Sequence, residues 1–356
     1  MEILEIIADA SLSGGPKHVF TLVKKLSKYF KITTVCPQGH LAKQLQDAAL
    51  EKKIINFEGA FDLSSIRALR AYVKINRPKL VHAHGIRAGI ATYFAITFLP
   101  TKLVYTEHLY TDEYHLTSVF REFMQTFFLG LVCRRSKVVI APSMAVKKFL
   151  IGRFSIEDSK IQIVANGLDD FHFPFKKLLH PTVGFVGGSG PTKGLPLLLS
   201  AMSIVGERNP DIRLQIVGAV DKSSRRLLEN CEFLGADVDV EKTIGSWRTL
   251  MVPSTTESFG QVILEAAIVG IPVIATKAGA LPEIVHDLVN GFLVEKTDVK
   301  GLAEAIIRVV TDEKAAKMMG EKNRQLYERN FTSDIMSLKV KEIYDKVIKN
   351  ESKSNS

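Results

Sequence analysis

Residues 250 to 272 constrain the fold more than any other stretch, because they spell a strand, a tight polar loop and a helix in one run. Apolar Leu250, Met251 and Val252 end a buried strand, Ser254, Thr255 and Thr256 turn the chain, and Ser258 stands where a helix N-cap belongs. Val262, Ile263, Ala266, Ala267 and Val269 then recur at helical spacing, and Gly270 with Pro272 beyond it supplies the stop. A strand feeding a helix through so short a loop belongs to a parallel α/β sheet. The N–H groups of Phe259, Gly260, Gln261 and Val262 would face its C-terminal edge, a place suited to a phosphate.

Two carboxylates say what kind of anion fits there. Glu257 lies in the loop and Glu265 inside the helix, roughly 7–8 Å along the axis from Gly260, about the span of a diphosphate. A carboxylate beside phosphates is repulsive unless it meets hydroxyls. The economical reading is therefore a diphosphate on the helix N-terminus with a polyol at each end, which describes a nucleotide sugar. Either Glu alone reads as an ordinary solvated acid; the eight-residue spacing around Ser258, Phe259 and Gly260 is what favours a site.

With Glu257 and Glu265 forming an E-x7-E motif, and Gly270-Ile-Pro-Val-Ile-Ala following it, the sequence resembles the retaining, nucleotide-sugar-dependent glycosyltransferases of family 4, the glycosyl transferases group 1. The resemblance spans nearly the whole chain and is strongest from Val183 to Asn330. It implies a GT-B fold: two Rossmann-like, doubly wound parallel-sheet domains facing each other across a cleft. The expected boundaries are 1–172 for the acceptor-side domain and 173–332 for the nucleotide-sugar domain, with a last helix over 333–350 packing back on the first.

Composition agrees with two domains of ordinary size: 356 residues, 46% of them hydrophobic and 24% charged. No apolar run is long enough to span a bilayer, and the apolar start, Met1 to Ala8, reads as a first strand rather than a signal peptide. Cys36, Cys133 and Cys231 lie far apart and read as free thiols in a reducing cytoplasm. The net charge of +9 calls for an anionic partner. Nucleic acid is not expected, since the aromatic residues are not interleaved with the basic ones.

Along the chain, Gly14 and Gly15 sit in a first strand-to-helix loop, where backbone can approach a ligand; the family carries a Gly-Gly loop there, facing donor phosphate and acceptor. Lys17, Lys24, Lys25, Lys28 and Lys31 follow, with no acidic residue from 11 to 46. In the family such a face often rests on anionic membrane, and weak peripheral contact is implied. Strands are expected near 32–36, 54–57, 79–82, 102–106 and 137–141, alternating with helices. His82 and His84 end one strand, but strand alternation and the lack of an acidic or cysteine partner argue against a metal there. His108 ends the next strand, where the family often has a His on the donor sugar. Over residues 115–135, apolar residues from Leu116 to Val132 recur at helical spacing, as in a core helix. Residues 171–181 read as a linker.

The second domain opens with Thr182 to Gly194, a strand running into a glycine-rich loop. The family usually reads Gly-Arg and then Lys-Gly here, both cations clamping the diphosphate. Lys193 matches the Lys, whereas Gly188 occupies the Arg place. Asp237-Val-Asp239 spells a D-x-D, read as a chance match. The resemblance thus implies a retaining hexosyltransferase with no metal or other cofactor, using a UDP- or GDP-sugar and a glycan or lipid-linked acceptor, in cell-envelope polysaccharide synthesis. Glu257, His108 and Lys193 would be catalytic. Gly14, Gly15, Gly188, Lys193, Ser258, Phe259, Gly260, Gln261, Val262 and Glu265 would bind the donor. The alternatives are a non-catalytic nucleotide-sugar-binding partner protein and a GT-B epimerase.

Overall fold

A computed structural model of the chain describes residues 2–108, 119–175, 178–190, 192–220 and 229–349. They fall into two compact units: Met1–Asp169 with Ser333–Ser356, and Asp170–Thr332.

The first unit is built on seven parallel strands: β1 (Glu2–Ile7), β2 (Lys31–Cys36), β3 (Lys52–Ile54), β4 (Leu80–His84), β5 (Lys102–Thr106), β6 (Val138–Ala141) and β7 (Ile161–Ile163). Their order is β3-β2-β1-β4-β5-β6-β7. Winding reverses between β1 and β4, so the loops leaving their C-terminal ends diverge and open a crevice. With helices on both faces, β1 and β4 are almost continuously buried. Glu5 interrupts that apolar run, fully buried in mid-strand.

The helix Ser333–Lys349 belongs to this unit. Met336, Val340, Ile343, Tyr344 and Val347 recur every three or four residues and join the core of Ile3, Leu22, Leu80 and Val104. Burying each of the aliphatic ones contributes about 1.5–3 kcal/mol relative to exposure. The expected core helix over 115–135 needs correcting. Its first four residues lie outside the described residues. In the helix Val119–Arg135, Leu129, Val132 and Cys133 are buried, but Phe120, Phe123 and Phe127 are exposed: the apolar stripe is wider than the core it covers.

The second unit has six parallel strands: β8 (Thr182–Val186), β9 (Arg213–Val217), β10 (Cys231–Gly235), β11 (Thr249–Val252), β12 (Val273–Thr276) and β13 (Gly291–Val294). The order is β10-β9-β8-β11-β12-β13, so the reversal falls between β8 and β11. Trp247 lies across β8 at Gly184, where any Cβ would overlap its ring, and its Nε1–H donates to Gln215 at 2.8 Å.

Cys36 and Cys133 are buried, and Cys231 is half-buried; none forms a disulfide. Burial pushes the Cys36 and Cys231 thiols up to about 11, so they are unreactive at neutral pH. No helix among the described residues is long and apolar enough to cross a membrane. The lysine face of the helix Gly14–Leu26 and its continuation is partly engaged: Lys24 bonds Asp169 at 2.9 Å, and Lys25 bonds both Asp169 and Asp334.

Candidate active site

In the second unit the loops after β8 and β11 lie side by side at the crevice. Gly194 precedes the helix Leu195–Arg208 in the left-handed region (φ 72°), and a Cβ there would overlap the Pro253 carbonyl. Thr255 N–H donates to Thr192 O at 2.9 Å. This close packing brings Lys193 Nζ to 2.9 Å from Glu257 Oε2, with Glu257 only 14% exposed and Ser254 Oγ at 3.4 Å from the same oxygen. The Glu257 carbonyl accepts from Ala280 N–H at 2.9 Å, which fixes the loop's far side. Two residues 64 apart in sequence thus form one polar group at the switch point.

The following helix spans Gln261–Ile268 and is capped by Gly260 in the left-handed region (φ 85°), with no side-chain cap. Ser258 is therefore not the cap that its position suggests. The helix begins two residues later, because a left-handed Gly260 swings the chain into it. Gly270 does end the helix, through Gly270 N–H to Ala267 O and Ile271 N–H to Ala266 O. The backbone N–H groups of Phe259, Gly260, Gln261 and Val262 make no hydrogen bond among the described residues. Phe259 is buried edge-on against Phe331. Glu265 is 7% exposed rather than a solvated acid, and Val262 and Val269 are only half-buried.

Gly188 packs against the strand-end segment after β9. A Cβ there would come within 2.5 Å of Ala219 O, and Ser189 N–H holds that same oxygen at 3.0 Å. The backbone at this place leaves no room for any side chain, arginine included. The D-x-D has a plain structural role: Asp239 caps the short helix Val240–Thr243 by accepting from Glu241 N–H. A cavity of about 460 Å³ lined by Phe175, His180, Trp247 and Arg248 lies at the opposite, N-terminal ends of β8 and β11, away from these groups.

In the first unit, Gly14 and Gly15 are the first residues of the helix Gly14–Leu26 and not part of the loop before it. A Cβ on Gly15 would make only an ordinary 3.7 Å contact with Ile7. His108 follows β5 and its backbone N–H donates to Glu107 Oε1 at 2.8 Å. It does not stand alone. His84 Nδ1 lies 3.2 Å from His108 Nε2, and His84 Nε2 lies 2.8 Å from Glu5 Oε2. Tyr344 hydroxyl donates to the other Glu5 oxygen, His82 Nδ1 lies 2.6 Å from that hydroxyl, and His82 Nε2 lies 2.7 Å from Thr106 Oγ1. His18 sets its ring edge-on to His108, with centroids 4.9 Å apart.

The reading of His82 and His84 is thereby corrected. Residues two apart on a strand share a face; the rings are 4.0 Å centroid to centroid, and Glu5 on the neighbouring strand is the acidic partner that sequence proximity hides. Two groups, His18-His84-His108 and Glu5-His82-His84, hold ligand-type atoms within 4.8 Å of one another. Burial alone would raise the Glu5 carboxyl, but electrostatic attraction and hydrogen bonds from His82 and then His84 hold it well below the usual range. Burial, then His82, lowers His84 to about 4 despite Glu5, and burial with the neighbouring imidazoles depresses His18 and His108 further. The acid is charged and these three rings are neutral at pH 7. Glu5, His84, His82, His18 and Tyr344 were not singled out as site residues by the sequence. Only a charged residue inside an apolar strand could have signalled them.

Two family models match the chain: "Glycosyltransferase Family 4" over residues 12–170 and "Glycosyl transferases group 1" over 170–326. Over 81% of this chain and 82% of the other, it is 28% identical to the capsular polysaccharide biosynthesis glycosyltransferase CapM of Staphylococcus aureus. It is 25% identical to the phosphatidyl-myo-inositol mannosyltransferase of Mycolicibacterium smegmatis, over 98% of this chain and 89% of that one. Among solved structures, Anabaena Alr3699/HepE in complex with UDP and glucose superposes with a TM-score of 0.85 over 97% of this chain and 100% of the other, at 19% identity. That likeness concerns the fold.

Proposed function

Because the chain belongs to the family 4 glycosyltransferases of GT-B fold, the glycosyl transferases group 1, we propose that it moves a sugar from a nucleoside diphosphate sugar to a cell-envelope polysaccharide or lipid-linked acceptor, retaining the anomeric configuration. The observation that carries this reading is the Lys193–Glu257 pair beside four backbone N–H groups that have no hydrogen bond among the described residues, at a sheet's switch point. The amides and Lys193 would take up charge as the diphosphate leaves, at a site prepared for it. Glu257 would accept from hydroxyls of the donor sugar and buried Glu265 from those of the ribose. His108 would contact the sugar. The departing phosphate would take the proton of the attacking acceptor hydroxyl, so no divalent metal enters the scheme. CapM is named for capsular polysaccharide and the mycobacterial relative for a phosphatidylinositol acceptor, which supports an envelope acceptor. Approach to an anionic lipid surface would rest on Lys24, Lys28 and Lys31, the exposed cations of their face.

The test is release of nucleoside diphosphate from a panel of UDP-, GDP- and ADP-sugars with EDTA present, on wild type and Glu257→Ala. One donor turned over by the wild type and not by the variant supports the reading; turnover that disappears with EDTA removes its metal-free part. The second reading, a non-catalytic nucleotide-sugar-binding protein, is favoured by the steric closure of the Arg place at Gly188. It predicts saturable donor binding with no turnover, envelope lipids included.

A further inference from the structure

We propose that His18, His84 and His108 form a three-imidazole site for a divalent cation of the zinc class, built entirely within the first unit. The site does not rest on the function proposed above, and no step of the sugar transfer runs through it.

The three residues come from separate elements: His18 from the helix Gly14–Leu26 that follows β1, His84 from the end of β4, and His108 from just beyond β5. The parallel neighbours β1, β4 and β5 carry all three to one edge of the sheet. One ring nitrogen of each then lies within 4.8 Å of the others. The His18 ring is tilted by 58° to His84 and by 70° to His108, so it meets the other two from a different direction. Tetrahedral zinc holds nitrogen ligands at about 2.0–2.1 Å, which sets them about 3.3 Å apart. His84 Nδ1 and His108 Nε2 are 3.2 Å apart. A ring N–H between them fits that distance equally well, so this pair alone does not distinguish the two. His18 does. Its ring is 3% exposed, and its buried Nδ1 has no hydrogen-bond partner among the described residues. Asn166 stands near the same ring without reaching hydrogen-bond geometry, its own buried Oδ1 likewise without a partner among them. A hydrogen bond between His84 and His108 leaves the His18 nitrogen unserved, whereas a cation takes up a lone pair from each of the three rings.

The far side of His84 is prepared for the same role. The carboxylate of Glu5, buried in mid-strand, accepts the Tyr344 hydroxyl at one oxygen and lies 2.8 Å from His84 Nε2 at the other. That nitrogen carries the hydrogen, so Nδ1 turns a lone pair toward His108. A carboxylate on the outer N–H is the common companion of a metal-bound imidazole, because it fixes the tautomer and raises the basicity of the ligating nitrogen. The neighbouring group of Glu5, His82 and His84 is a poorer site: its facing atoms already pair with one another and with Tyr344 and Thr106. Imidazole nitrogens favour zinc and its first-row neighbours, whereas magnesium and calcium prefer oxygen ligands. Bound there, the ion would tie the helix after β1 to the ends of β4 and β5.

The experiment uses the untagged full chain, stripped with a chelator and titrated with Zn2+ and, separately, with Co2+. Wild type is expected to retain one equivalent of zinc by elemental analysis and to give the intense visible bands of tetrahedral cobalt. Zinc at a hundredfold excess over its Kd should raise the melting temperature by about 5 °C or more. His18→Phe, which keeps an aromatic ring, and His84→Asn should both lose the ion and the cobalt bands. Glu5→Gln should weaken zinc binding by about 10- to 100-fold, as loss of a carboxylate behind a ligating imidazole does. His172→Asn, at an exposed histidine, should change none of these. No stoichiometric uptake overturns the proposal and leaves the three rings a hydrogen-bonded group. Uptake that survives His18→Phe overturns it as well, since the ion then sits on other histidines, and so does the faint spectrum of octahedral cobalt. If His84→Asn or Glu5→Gln does not fold, His18→Phe and the cobalt spectrum decide. No readout involves a sugar donor, so failure of the transferase reading leaves this test untouched.

Discussion

Replacing Gly188 with arginine, the residue the family usually has there, should harm this protein rather than improve it. The Cβ would stand 2.5 Å from Ala219 O, whereas ordinary van der Waals contact begins at 3.4 Å, so one of the two segments must move by about 0.9 Å. Neither moves freely: Gly187 N–H donates to Val217 O and Ser189 N–H to Ala219 O, at 2.8 and 3.0 Å. Overpacking of this kind costs about 1–3 kcal/mol. In a unit of about 160 residues, each kcal/mol shifts the melting temperature by roughly 2–4 °C. Gly188→Arg is thus expected to melt about 2–12 °C lower than wild type, with donor turnover no faster. Gly188→Ala should show most of the thermal loss, because the clash begins at Cβ. Scanning calorimetry of the three proteins, with turnover of the preferred donor, makes the comparison. An arginine variant that melts with the wild type and turns the donor over tenfold faster would refute the steric reasoning.

The buried network should make the first unit acid-labile. Unfolded, His84 titrates near 6.5, but folded it titrates near 4. Between those values only the unfolded chain takes up the proton, so stability falls as pH drops. From pH 7 to pH 5 the His84 contribution is a loss of about 2 kcal/mol. His18 and His108, also depressed, add to it, and Glu5, held low, joins below about pH 4.5; urea midpoints at pH 7 and 5 measure the sum, and equal midpoints would contradict it. Gly15→Ala is expected to raise the melting temperature slightly, since alanine at a compatible backbone position stabilises by about 0.4–1 kcal/mol through the unfolded chain and the new methyl has room. Turnover should nevertheless fall if backbone approach by the donor or acceptor is why glycine stands there; unchanged turnover would assign Gly15 no role.

Much of the second unit was legible because its signals are local. Gly260, Glu257 and Glu265 share one strand–loop–helix run; in the first unit, hydrophobic periodicity likewise located β5 (Lys102–Thr106). What escaped were contacts between distant residues. Glu5 and Tyr344 are 339 positions apart, and only the return of the last helix joins them. Ser258 misled because N-cap preference is a statement about side chains, whereas here a left-handed Gly260 sets the helix start. The consequence of Gly188 was likewise hidden. The sequence shows a missing arginine, but only the packing of Ala219 against that position shows that none could enter.

The central claim, that the switch point of the second unit cradles a diphosphate, is tested most directly by calorimetric binding of UDP and GDP to wild type, Lys193→Ala and Glu257→Ala. Removing the ammonium should weaken binding by about 10- to 100-fold, as expected for a charge-assisted hydrogen bond. Glu257→Ala should bind the nucleotide as well as wild type or better, since it loses a nearby negative charge, yet turn over no donor. Binding indifferent to Lys193, or no nucleotide binding at all, would contradict the account.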